Sequence, residues 1–135
     1  MSANQIIIEQ VSPFSVESTV EKLVASAILN NWQNPVIHNL QQSLAKSGKD
    51  VRPVQVIELC KPEFSGKMLE KNHERIVSIM MPCRISVYEK EDGKAYIALL
   101  NTSAMIGQMP KSVTEVMNKA SEETFEIVKS VIGAF

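Results

Sequence analysis

Residues 83–100, CRISVYEKEDGKAYIALL, limit the fold more than any other stretch of the chain. In the first half Ile85, Val87 and Glu89 alternate with Arg84, Ser86 and Tyr88, the period-two pattern of a strand with one buried face. The second half, AYIALL, is a matching strand. Between them lies Glu91-Asp92-Gly93-Lys94, and Asp-Gly is a strong hairpin signal because such tight turns need positive φ at their centre. Strands joined this closely pair antiparallel, since a parallel pair needs a crossover of a dozen or more residues. The strict alternation of a doubly wound parallel fold is therefore absent here.

The rest of the chain is read against that hairpin. Residues 5–11 (QIIIEQV) form a β-branched first strand. Ser15 then caps a helix whose stripe is Val16, Val20, Leu23, Val24, Ala27 and Ile28, closing near Asn30 and Asn31. A short extended piece at 35–37 leads to Asn39 which, with Gln42, makes a capping box for a short helix stopped by Gly48. Residues 51–60 form a strand with Pro53 at its mouth, and Phe64, Met68 and Leu69 outline a third helix. After a connection at 72–82 comes the hairpin. Ser112 and Glu115 then predict a capped start for a long final helix carrying Val113, Val116, Met117, Ala120, Ile127, Val128 and Val131. This order fits an α+β fold, one antiparallel-rich sheet covered by helices, in a single domain over residues 1–135.

Composition narrows the partners. A net charge of −1, with Lys and Arg scattered, argues against nucleic acid, which demands a concentrated basic surface. No apolar run approaches the ~20 residues of a membrane span, so no membrane partner is expected. The N-terminus lacks a basic region and its apolar run covers only residues 6–8, so a cytoplasmic location is the expectation. Two cysteines in that compartment are expected to be reduced.

No catalytic template fits. The five glycines lie far apart, there is no G-x-S-x-G or H-E-x-x-H, and His38 and His73 sit in loop-like or helix-edge contexts. A conventional enzyme is not expected. Cys60 and Cys83 are the chemically distinctive pair: one ends a strand, the other begins one, and Pro62 and Pro82 stiffen the backbone beside them. Both thiols are expected at one rim of the sheet. Three functional readings follow. The first is a dithiol couple tuned by Arg84 and Lys61. The second is a soft transition-metal site at Cys60 and Cys83, completed by Met80, Met81 or His73. The third is a small-molecule pocket that the cysteines merely line. Both can equally be packing residues, as free cysteines often are. Met80, Met81, Met105 and Met109 flank the hairpin, where they either line a site or fill gaps in the core. Glu58 and Arg84 are expected to form a salt bridge across the sheet, with Arg84 an anion-binding candidate if it faces a cavity.

The segments ELCKP and MMPCRISVYEKEDGKAYIALLN, with SVESTVEKLVASAILNNW and IHNLQQSLAKSGKDVRPVQVIELCKP before them, carry a resemblance. The chain resembles the bacterial family "domain of unknown function 302", and is similar to the subgroup with cysteine in both L-C-x-P and M-P-C-R. The resemblance implies a compact domain with helices on one face of an antiparallel sheet, a two-layer arrangement like the TATA-binding protein. It also implies a homodimer and a shared role for the two cysteines, and it brings no activity with it. The resulting expectation is a ligand-binding, sensing or carrier module, thiol- or metal-based, centred on Cys60, Cys83, Arg84, Glu58, Met80, Met81 and Met105. The alternative is a structural or interaction homodimer, joined by a sheet face or edge, with inert cysteines.

Overall fold

A computed structural model describes residues 6–81, 83–104 and 109–133, residue 103 by its backbone alone. Among them, strands β1 (Ile7–Ser12), β2 (Gln33–Asn39), β3 (Val54–Cys60), β4 (Cys83–Glu89) and β5 (Ala95–Leu100) form one sheet in the order β1-β5-β4-β3-β2. Every neighbouring pair is antiparallel. Helices pack on one face of it: α1 (Val16–Leu29), α2 (Leu40–Ala45), α3 (Pro62–Leu69) and α4 (Lys111–Ile132). A 3-10 segment, Glu74–Met80, fills the connection before β4.

The hairpin forms as its turn chemistry requires. Gly93 has a φ of 78°, the Asp92 carboxylate accepts from Lys94 N–H at 2.9 Å, and the Lys90 and Lys94 backbones close the turn. Alternation then sorts the strands, with Ile57, Leu59, Ile85, Val87, Ile97 and Leu99 buried under the helices. Ser15 caps α1 by accepting from Ser18 N–H at 3.1 Å, and Asn31 leaves the helix at a φ of 68°. Asn39 caps α2 through Gln42 N–H at 3.0 Å. Pro53, just outside β3, has no N–H to give but accepts from Glu89 N–H at 3.0 Å.

Several boundaries depart from the sequence reading. The short extended piece is a full edge strand, β2, whose register shifts between Gln33 and Val36. Asn34 has a positive φ of 51°, and Pro35 falls inside this irregularity, where a missing N–H costs no ladder bond. His38 is therefore a strand residue, not a loop one. Helix α4 starts at Lys111, so Ser112 is not its cap. Pro110 takes that place: its carbonyl accepts from Val113 N–H and Thr114 N–H, each at 3.0 Å. Met105 and Pro82, both singled out in the sequence, lie outside the described residues.

The interior has two parts. Under the sheet, Leu23, Ala27, Ile57, Ile85, Val87, Ile97, Ile127 and Val128 belong to a cluster built with α1 and the C-terminal half of α4. At the rim where β4 begins, a second cluster gathers Met68, Val77, Val113 and Met117, with Met80, Met81 and Met109 packed against it.

Candidate functional site

The β3–β4 register sets the geometry of the cysteines. Leu59 opposes Cys83, so both thiols lie at one rim, as the strand ends predict. Alternation also gives them different surroundings. Cys83 shares the inner face with its partner Leu59 and lines a cavity there. Cys60, one residue on, turns into the corner before α3, where its Sγ meets the Ser65 hydroxyl at 3.8 Å. Both cysteines are free thiols. Burial pushes the Cys83 thiol up to about 11, and the nearby Cys60 thiol adds to the rise. Burial thus disfavours the Cys83 thiolate, the form that a nucleophile or a metal ligand needs.

Glu58 and Arg84 oppose each other across β3 and β4 on the outer face, and the expected bridge is present, Arg84 Nε to Glu58 Oε2 at 3.3 Å. The second Glu58 oxygen bonds His38 Nε2 from the neighbouring strand. The hydrogen bond from His38, with Arg84 adding its positive charge, holds the Glu58 carboxyl below its usual range. Glu58 stays on this outer surface and does not line the cavity.

The cavity has a volume of about 260 Å³ and sits between the rim of β4 and β5, helix α4 and the 3-10 segment. Four expected site residues meet there: Met80, Met81, Cys83 and Arg84. Met68, Val77, Ile79, Leu99, Leu100, Met117 and Ala120 complete its apolar wall, and Thr102, Ser121 and Thr124 bring three hydroxyls. Of the seven methionines, Met1 and Met105 lie outside the described residues, and the other five all belong to the second cluster. Methionine side chains are unbranched and adaptable, so a wall made from them can reshape around a guest.

Ser121 and Thr124 escaped the sequence reading, although a signal was present. They sit on α4 between Met117 and Ala120 on one side and Ile127 and Val128 on the other, at the spacing of the apolar stripe. A polar residue on a buried stripe marks a hydroxyl turned inward. Residues for a metal are sparser. Among the described residues no group of three or more His, Cys, Asp and Glu side chains could hold a metal ion. His38 is committed to Glu58, and His73 precedes the 3-10 segment without lining the cavity. No helix among the described residues is long and apolar enough to cross a membrane.

Comparison with known proteins agrees with this architecture. The chain is similar to the solved crystal structure of an uncharacterised conserved DUF302 protein from Bacillus stearothermophilus. The TM-score is 0.83 at 18% sequence identity, over 94% of this chain and 98% of that one. At that identity the likeness shows the fold alone. No curated protein matches. The family model described as domain of unknown function DUF302 matches residues 8–132, nearly the whole chain, and this protein belongs to that family.

Proposed function

We propose that the protein is a binding module for a small, neutral, largely apolar molecule held in the Met-lined cavity. The observation that carries this reading is the 260 Å³ hollow itself, walled by Met68, Met80, Met81, Leu99 and Met117. That volume is just under the range of drug-sized pockets, which suits a compact guest. Ile79 and Leu100 extend the apolar wall to the exposed surface, with exposed Ile76 one turn from Ile79, so the entrance is itself greasy. The expected thiol-based sensing and soft-metal chemistry gain less support. Cys83 is held protonated, and Cys60 faces a different neighbour.

Titration with small aromatic hydrocarbons, followed by thermal shift and NMR, tests the reading. Ala120→Phe places a ring in the cavity and is expected to abolish binding while the fold persists. Unchanged binding in that variant, or no binding by the wild type, sinks the proposal.

A second reading, a homodimer formed through the open sheet face, draws on a different observation. No helix among the described residues covers that face, yet Val54, Val56, Tyr88, Tyr96 and Ala98 on it are only partly exposed and exposed Ile7, Val11 and Val36 extend the apolar area. The charged groups among them already pair within the chain, Glu9 with Lys90 and Glu58 with Arg84, so a second copy can approach without stranding charge. Ala98→Arg is expected to turn a sedimenting dimer into a monomer. A monomeric wild type at 100 µM (on the order of an easily detected affinity) removes this reading.

A further inference from the structure

We infer that the guest in this cavity carries a neutral hydrogen-bond acceptor, a ketone, ester or ether oxygen, and that Ser121 is the residue that selects for it. The inference rests on the reading of the cavity as a ligand site. Ser121 lines the cavity, is only 5% exposed, and its Oγ has no hydrogen-bond partner. Buried hydroxyls are rarely left so.

The packing of α4 against the 3-10 turn Thr102–Ala104 occupies one of the acceptors nearest to Ser121. A helical serine can donate to the carbonyl three or four residues earlier. For Ser121 the carbonyl four residues earlier belongs to Met117, and it already accepts from Thr102 Oγ1 at 3.3 Å. With the helix's own backbone bond, both lone pairs of that oxygen are used. Thr124 Oγ1 makes no hydrogen bond with Ser121 Oγ, and its own proton goes to the Ser121 carbonyl at 2.8 Å. Two of the three hydroxyls in the wall thus have their protons committed, and the buried Ser121 hydroxyl, on a residue that lines the hollow, is left without a partner.

The charge of the guest follows from the same wall. Away from the mouth, the described lining residues contain no ionisable group except the protonated Cys83 thiol. Arg84 stands at the mouth, its side chain 55% exposed and bonded to Glu58. A carboxylate drawn inside would therefore lose its water without gaining an opposing charge. A carbonyl or ether oxygen loses much less and gains the Ser121 O–H.

A matched pair of probes tests this: propiophenone and propylbenzene, which differ by a carbonyl in place of a methylene. Dissociation constants are measured by NMR titration for the wild type and Ser121→Ala. The substitution removes an unpaired buried hydroxyl from a helix, so the variant is expected to melt no lower than the wild type. It should weaken propiophenone roughly tenfold and leave propylbenzene unchanged or tighter. If the two probes shift equally, or the ketone does not shift, the Ser121 inference is overturned while the cavity reading survives. If neither probe binds the wild type, the cavity reading falls first. Saturable binding of 3-phenylpropionate that is lost in Arg84→Gln would overturn the claim that the guest is neutral.

Discussion

Helix α4 joins two interiors built on opposite principles. Its C-terminal half sets Ile127 and Val128 against Leu23, Ile57, Ile85 and Ile97, a cluster rich in branched side chains. Its N-terminal half sets Val113 and Met117 against Met68 and Val77, with three further methionines around them. β-Branched residues have few rotamers and stand firmly on a pleated sheet, so the first cluster fills its space. Methionine has three rotatable bonds and packs loosely, and here it surrounds a cavity. About 16 Å of one helix separates Met117 from Val128. The firm end holds the sheet and helices together, and the adaptable end surrounds the cavity.

This contrast is sharpest under mutation. Ile97→Ala, in the firm cluster, is expected to cost about 2–5 kcal/mol in denaturant unfolding, as fully buried large-to-small changes do. A loss below about 1 kcal/mol would mean that this region also relaxes, erasing the contrast.

The next effect is a pH dependence seated at the boundary residue Cys83. Its thiol is raised from 9.0 to about 11 in the folded state, so the fold favours the protonated form. The stability tied to that preference is complete below about pH 9 and is lost as pH rises through about 11. Wild type should therefore lose about 2–3 kcal/mol more than Cys83→Ala over that interval. Parallel stability curves for the two proteins would show that the cavity wall is wetter than its lining implies. The smallest expected effect is at Met117→Leu, under about 1.5 kcal/mol, because a near-equal volume is exchanged in a wall that adapts. A loss matching that of Ile97→Ala would place both clusters in the same firm class.

Local signals made most of the architecture readable. Ser15, Asn39 and Gly93 act at the positions their chemistry announces, and the alternation of Ile85 and Val87 assigns the buried face correctly. Where the reading failed, one nearby group and one distant strand decided. Helix α4 starts two residues before the position expected for it, with the Pro110 carbonyl accepting its first two N–H bonds, so Ser112 lies inside the first turn. Strand β2 looked like a fragment because Pro35 interrupts it, and only the neighbouring β3 provides the ladder that makes it a strand.

The candidate site was half legible for the same reason. From the sequence alone came a rim bearing two cysteines, Arg84 opposite Glu58, and methionines around the hairpin, since strand ends, period-two register and composition are local properties. Which of them meet was a matter of parity and packing. One residue of register separates Cys83, facing the cavity, from Cys60, facing Ser65. The Ser121 hydroxyl has no partner, while Thr102, nineteen residues away in the chain, takes the Met117 carbonyl one turn before Ser121. A sequence records the donors and acceptors that a chain carries. Which of them are left without partners is decided only when distant segments are packed together.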